Sequence, residues 1–362
     1  MSRCKLEEFI SYEQPTKYIV DSDQYDDSYE IPVLTAGKSF ILGYTDEKNN
    51  IFDDLPVIIF DDFTTSVQFV DFPFKVKSSA MKLLKNTEQA DVKYCYYLLK
   101  FLQHTPENHK RQWLSATSQN TVELPTIEEQ KNIVKKLDKI LEVIDNQNKQ
   151  LELLDEAIKA RFVELFGDVQ HEEKYKGIPL GELCTMMSGG TPSTKFEEYY
   201  EGDIPWISTV SLGPNHIDGS TAKGYITQEA VDNSATKLIP AGNILFGTRV
   251  GVGKSSINDV NICTNQDIIA IIDIDESRFK RLFVKHVLDA YQPYYDSIKK
   301  GATILGITSE DLKDTLIPDA PIEVQMEYVA FAEQVDKSKF EIQKSLEKTQ
   351  QLYDSLMQKY FG

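Results

Sequence analysis

Two stretches of the chain carry a helical pattern of apolar positions far longer than any other. In the first, Leu137, Ile144, Leu151, Ile158 and Leu165 recur every seven residues, and Ile133, Ile140 and Leu154 fill intermediate positions. In the second, Val335, Ile342, Leu346, Tyr353 and Leu356 mark a comparable stripe. This spacing puts the apolar side chains on one helix face and predicts a coiled-coil seam. Gln147 and Arg161 interrupt the first stripe, and Lys339 and Thr349 the second. Polar residues in a seam cost stability but fix register and partner.

The limits of both helices are written in the chain. Pro125 precedes the first, and Pro318 and Pro321 precede the second. Proline suits a helix start because its missing N–H has no partner in the first turn. Acidic Glu128, Glu129 and Glu323 follow, where the helix dipole favours them. Gly167 and Gly362 close the two segments. About 40 residues at 1.5 Å each make a rod of roughly 60 Å.

The two rods are copies. A shift of 195 residues lays Thr126-Ile-Glu-Glu-Gln130 on Pro321-Ile-Glu-Val-Gln325, and Phe166-Gly167 on Phe361-Gly362, without a gap. Two like rods in one chain pack most simply antiparallel, with an approximate two-fold axis and the preceding domains carried to opposite ends. The expected seam is Leu137, Ile140, Ile144, Leu151, Leu154 and Ile158 against Val335, Ile342, Leu346 and Tyr353.

The segments before the rods mix strand-like runs, turns rich in Gly, Asn and Asp, and one late helix each. Ile31-Pro-Val-Leu34 parallels Ile204-Pro-Trp-Ile207, and Leu55–Phe60 parallels Ile239–Phe246. Tyr94–Phe101 and Phe279–Tyr291 read as the late helices. The expected fold is α+β: two similar mixed domains at 1–123 and 168–316, separated by long antiparallel coiled-coil helices at 124–167 and 317–362, as an internal pseudo-two-fold repeat.

Composition narrows the function. At 362 residues and 41% hydrophobic the chain can bury two or three cores. Cys4, Cys95, Cys184 and Cys263 lie far apart and form no metal-binding or disulfide pattern, which suits a reducing cytoplasm. The N-terminus lacks an apolar signal core, and the longest apolar runs are far below the roughly 20 residues of a membrane span. A soluble cytoplasmic protein is expected. The net charge of −18 is unusual for a nucleic-acid binder. Either DNA is not the ligand, or positive charge is gathered locally, or a partner supplies it.

Several near-motifs fail as catalytic sites. Gly247-Thr-Arg-Val-Gly-Val-Gly-Lys-Ser255 resembles a phosphate loop, but Thr248 stands where glycine is required and no helix follows. It reads instead as a glycine-rich hairpin. Asp91-Val-Lys93 opens a helix rather than ending a strand, unlike a nuclease triplet. Gln292-Pro-Tyr-Tyr295 lacks the asparagine and second proline of an adenine methyltransferase motif. His104 and His109 are poorly spaced for one metal, and no metal site is expected. Trp113 and Trp206 read as core or strand-edge aromatics, not as base stackers.

Leu124-Pro-Thr-Ile-Glu-Glu-Gln130, the rod ending at Arg161-Phe-Val-Glu-Leu-Phe-Gly167, and the second copy resemble the specificity subunits of type I restriction-modification enzymes. Leu180-Gly-Glu-Leu183 with Ser188-Gly-Gly-Thr-Pro192 is similar to the opening of one type of target-recognition domain in that family. Gln14–Tyr18, Leu34–Lys38, Phe60–Thr65 and Asp71–Ser79 resemble another type. The resemblance covers the whole chain in the order domain, rod, domain, rod. It implies a non-catalytic subunit whose domains each read half of a bipartite sequence in double-stranded DNA. The rods would set the spacing and dock two modification (methyltransferase) subunits, which restriction subunits join. It implies no cofactor in this chain, with S-adenosylmethionine, ATP and magnesium in the partners. The alternative left by the residues is a coiled-coil scaffold whose two domains bind proteins.

Phosphate contact needs Lys, Arg or small polar donors on loops. The candidates in the first domain are Thr16, Lys17, Lys38, Thr64, Thr65, Lys75 and Lys77. In the second they are Thr191, Ser193, Lys195, Thr248, Arg249, Lys254, Lys299 and Lys300.

Overall fold

The computed structural model describes residues 2–37, 39–106, 110–171, 174–301 and 305–362. The two long helices span Ile127–Phe166 and Ile322–Phe361, 40 residues each. The chain divides into two compact units, Met1–Gln150 with Ile342–Gly362, and Leu151–Glu341. Each unit therefore contains one mixed α+β domain and a piece of both long helices.

The units repeat one topology. In the first, Ile10–Glu13, Met81–Asn86, Val57–Asp61 and Val67–Val70 form a four-stranded sheet in that spatial order. In the second, Thr185–Ser188, Ile268–Ile272, Ile244–Gly247 and Ser255–Asn258 take the same order, with His216–Ile217 added at the edge. A three-stranded sheet accompanies each: Ile41–Thr45, Ile31–Leu34 and Lys75–Val76 in one, Gly224–Ile226, Ile204–Ile207 and Cys263–Thr264 in the other. The two central pairings anticipated from the sequence thus occupy equivalent strands. The expected late helices span Val92–Phe101 and Arg281–Ala290. Asp91 caps the first of these, accepting the Lys93 and Tyr94 amides at 2.9 and 3.0 Å.

Each mixed domain enters and leaves at one place. Ser2–Lys5 pairs antiparallel with Thr121–Leu124, and Gly177–Pro179 with Leu316–Pro318. Both ends of a domain therefore lie side by side, where a long helix begins.

Within each unit the two helices run antiparallel. In the first, Lys136 donates to the Tyr360 hydroxyl at 3.4 Å and Gln147 to Ser345 at 2.8 Å. In the second, Arg161 pairs with Glu327 and Lys339 with Asp155. Three of the four polar interruptions of the seam are therefore cross-helix contacts. The fourth, Thr349, donates to the Ser345 carbonyl of its own helix at 2.9 Å. Leu137, Ile144 and Tyr353 are buried in the first unit's core, with Ile140 and Leu346 packed against it. Val335 is buried in the second unit, and Ile158 packs on that core. Leu151, Leu154 and Ile342 are half-buried. Phe162 and Phe166 join Phe283 and Tyr328, with the Phe166 and Phe283 rings 4.5 Å apart. Full burial of a side chain this size contributes about 1.5–3 kcal/mol.

The repeated glutamine explains itself here. Gln130 is fully buried; its amide group donates to the Pro125 and Gln89 carbonyls at 2.9 and 3.1 Å, and its oxygen accepts the Asp91 amide at 2.7 Å. Gln325 makes the equivalent contacts: it donates to Ala320 and Arg278 at 2.8 and 3.0 Å and accepts from Lys280 at 2.9 Å. Each glutamine bolts the start of its long helix to the start of the late helix of the domain before it. Gln325→Leu leaves three backbone groups unpaired, the Ala320 carbonyl among them buried, and is expected to cost the second unit about 2–3 kcal/mol. The check is urea unfolding followed by Trp206 emission in a Trp113→Phe background, since the chain has 2 tryptophans and one lies in each unit. An unchanged midpoint would refute the bolt.

A second tie is made differently in the two units: Tyr97 and Lys93 bond Asp138 in the first, at 2.5 and 2.8 Å, and a histidine serves in the second. The buried His286 has an Nε2 that donates to Asn215 Oδ1 at 2.9 Å, because an amide oxygen only accepts. In the neutral imidazole Nδ1 accepts from the Tyr328 hydroxyl at 2.6 Å, and Asn215 donates onward to Asp336 at 2.6 Å. The chain of bonds suits a neutral imidazole. It lines a cleft of about 740 Å³ also bordered by Lys285, Asp289 and Lys339. Burial, then Lys285, Lys339 and His216, hold the His286 pKa well below 6.5. The unfolded chain binds that proton first, so the stabilisation is complete above pH 6.5 and declines as pH falls below it, by up to about 1.4 kcal/mol per pH unit. Urea midpoints at about pH 7.5 and about pH 5.5 are expected to diverge more for the wild type than for His286→Gln; equal divergence contradicts the assignment.

Candidate nucleic-acid interface

In the second unit the loops at one end of the sheet are tied into a cluster. The turn after Ile244–Gly247 closes through Gly253, whose amide donates to the Gly247 carbonyl at 3.0 Å. Gly253 has φ +84°, a left-handed conformation that favours glycine, and a Cβ there would lie 2.0 Å from Gln292 Oε1 and displace that side chain. The Thr248 amide donates to the Asp267 carbonyl at 2.8 Å, and the Ile307 amide to the Thr248 carbonyl at 2.9 Å. Thr191 donates to Gln266 at 2.7 Å. The Gly189-Gly190 pair allows this approach: Cβ atoms there would lie 2.2 Å from the Asn265 carbonyl and 2.5 Å from the Ala235 backbone. Segments 189–195, 248–254 and 264–267, with residues 299–301 and 305–306, thus form one surface. The glycine-rich sequence is a hairpin between two antiparallel strands, as its composition suggests.

That surface collects most of the anticipated cations of this domain. Arg249 is exposed, with its guanidinium 3.6 Å from Asp267. Lys195 and Lys254 are exposed, and among the described residues neither forms an ion pair. Thr191, Ser193 and Lys300 are exposed as well. Lys299 pairs with Asp296. Thr248 is a correction: it is buried, and its hydroxyl donates to the Asp267 carbonyl at 3.1 Å. It shapes the loop instead of facing a ligand.

In the first unit the equivalent loops carry different residues. Thr16, Lys17, Thr64 and Lys77 reach solvent; Lys17 pairs with Glu13 at 2.9 Å and Lys77 with Asp23. Two candidates are corrected. Thr65 is buried because its hydroxyl donates to the His104 carbonyl at 2.6 Å and accepts the His104 amide at 3.0 Å. Lys75 is 2% exposed and bonds Glu47 at 2.6 Å and the Asn49 carbonyl at 3.0 Å. Against the burial that opposes its charge, Lys75 and the Ser22 and Asp21 amides hold the Glu47 carboxyl below the ordinary glutamate range. Such a lysine is a structural strut. Lys38 and His109 lie outside the described residues.

Two cations escaped the sequence reading. Lys110 and Arg111 are exposed where the chain returns to these loops, fixed by the Gln112 amide donating to the Asp62 carbonyl at 2.8 Å. A Lys-Arg pair beside a tryptophan was the available signal.

Both tryptophans are buried, as anticipated, and Trp206 donates to the Gly190 carbonyl at 3.1 Å. Tyr295, from the near-motif Gln292–Tyr295, is buried with its hydroxyl 2.9 Å from Thr315. Among the described residues no helix is long and apolar enough to cross a membrane.

Two units of one topology, each with exposed polar and cationic loop residues and an antiparallel helix pair, define a class of duplicated, modular α+β proteins. A family model described as "Type I restriction modification DNA specificity domain" matches residues 172–352. The specificity subunit of the type I restriction enzyme EcoR124I/EcoR124II of Escherichia coli is 37% identical over 351 residues, covering 91% of this chain and 85% of that one. The MjaIX specificity subunit of Methanocaldococcus jannaschii is 31% identical over 138 residues, 38% of this chain and 32% of its own length. Among solved structures, the S subunit of a type I restriction-modification system from M. genitalium shares the fold with a TM-score of 0.64 at 14% identity, over 100% of this chain and 96% of that one. The chain belongs to the type I restriction enzyme specificity subunits, the non-catalytic DNA-recognition components of restriction-modification complexes.

Proposed function

We propose that residues 1–123 and 168–316 each read one half of a bipartite, asymmetric DNA sequence. Residues 124–167 and 317–362 act as the ruler between the halves and dock two methyltransferase subunits, which restriction subunits join. S-adenosylmethionine, ATP and magnesium serve those partners, and the complex works in the cytoplasm. The supporting observation is that one topology carries two unlike sets of exposed loop residues, Thr16, Lys17, Thr64, Lys77, Lys110 and Arg111 in one unit, and Thr191, Lys195, Arg249, Lys254 and Lys300 in the other. Equivalent frames with unlike reading surfaces suit two unlike half-sites. The net charge of −18 fits a complex in which the methyltransferase subunits supply further phosphate contacts.

The test is to co-express the chain with its methyltransferase subunit and map the methylated bases of the host DNA. A motif of two unlike halves at fixed spacing is expected. A single contiguous motif, or methylation without sequence preference, contradicts the reading.

A further inference from the structure

The loop cluster of the second unit contains a feature that phosphate contact does not use. Val250 and Leu305 are 53% and 56% exposed, each on a loop that also carries cations. Isolated exposed aliphatics are common on protein surfaces. These two sit on adjoining loops in a built arrangement. The Lys300 and Gly306 backbones exchange hydrogen bonds at 2.9 and 3.0 Å, and Ile307 is bound to Thr248. A Cβ on Gly306 would lie 3.0 Å from Arg249 Cγ, so the neighbours of Val250 and Leu305 are in direct contact. The turn bearing Val250 is braced from inside by Gln292, which donates to the Val252 carbonyl at 2.8 Å.

We propose that Val250 and Leu305 read thymine methyl groups in the major groove of the half-site bound by the second unit. This rests on the DNA-reading function above. Arg249, Lys254 and Lys300 draw these loops against phosphates, which carry no sequence information. An aliphatic side chain held among them meets the base edges. The thymine 5-methyl is the apolar group that the major groove presents, and aliphatic contact with it distinguishes thymine from the other bases. Covering one methyl group corresponds to about a fourfold change in affinity, from about 0.8 kcal/mol per apolar carbon buried.

The experiment uses the chain assembled with its methyltransferase subunit and duplexes carrying the mapped target. Each thymine in both half-sites is replaced singly by deoxyuridine, which lacks only the methyl. The wild type is expected to bind about fourfold more weakly at one or two positions in one half-site. Val250→Thr with Leu305→Asn is expected to abolish that penalty and to keep the deoxyuridine pattern of the other half-site. Val250→Thr alone is close to isosteric and guards against a folding defect. Deoxyuridine sensitivity identical in variant and wild type overturns the proposal, as does a wild type insensitive at every thymine. Loss of the methyltransferase subunit from the variant, with the deoxyuridine pattern intact, also overturns it and makes the pair a protein contact. A wild-type complex with no sequence preference at all would instead defeat the underlying DNA-reading function.

Discussion

Charge reversal at Arg249 and Lys254 is expected to weaken DNA binding by the assembled complex on the order of tenfold or more at moderate salt. Both side chains are exposed on one turn, and that turn is fixed by Gly253, Gln292 and the strands on either side. Each lost phosphate contact also removes one released counterion. The slope of log affinity against log salt should therefore flatten by about 2. Fluorescence anisotropy with target and random duplexes at several salt concentrations measures both quantities. The loss should be similar for the two duplexes, because phosphate contacts are blind to sequence. Arg249 lies near Asp267, so reversing Asp267 to lysine is expected to strengthen nonspecific binding. Undiminished affinity in the Arg249→Glu/Lys254→Glu variant would remove this turn from the interface.

The largest effect on stability is expected at Asp62. Lys82 and Asp62 are 1% and 2% exposed, with Nζ and Oδ2 3.3 Å apart. Asp62 also accepts the Trp113 amide at 2.9 Å, and its carbonyl accepts Gln112. Lys82 otherwise faces the Tyr12 ring, 5.2 Å from its centroid. Asp62→Ala strands a buried ammonium and is expected to destabilise the first unit by about 3–5 kcal/mol. Replacing both partners, Asp62→Leu with Lys82→Met, removes the stranded charge and is expected to cost markedly less than the single change. Urea unfolding read by Trp113 emission in a Trp206→Phe background measures the difference. A double variant as unstable as Asp62→Ala would contradict the account. The same residue carries a functional consequence. Asp62 fixes the return of the chain at Lys110 and Arg111, so its loss should also loosen these two residues.

The long helices were legible because their pattern is long and duplicated. A seven-residue apolar repeat bounded by proline and glycine has few structural solutions, and both helices form over the segments it marks. The pairing of the central strands was legible for the same reason: Ile31–Leu34 and Ile204–Ile207 carry like patterns in like places. The glutamine bolt was visible but unread. Gln130 and Gln325 align in the repeat, and a polar side chain kept in both copies of an amphipathic helix had to be satisfied by something.

The interface was less legible because composition does not reveal burial. Lys75, Thr65 and Thr248 are ordinary surface residues by type. Their partners, Glu47, His104 and Asp267, lie 28, 39 and 19 residues away, and only the tertiary fold brings them together. Lys110 and Arg111 were missed for the complementary reason. They flank no recognisable loop motif, and the Asp62 contact that places them is non-local.

The central claim is that each recognition domain reads its own half of the target. The paired strands Gly177–Pro179 and Leu316–Pro318 put both ends of the second domain side by side, so it can be exchanged as a block. Residues 180–315 would be replaced by the corresponding segment of the Escherichia coli relative, and the methylated motif mapped after co-expression with the methyltransferase subunit. The account predicts that one half of the motif changes while the other half and the spacing stay as they were. A motif that changes in both halves, or in neither, would contradict it.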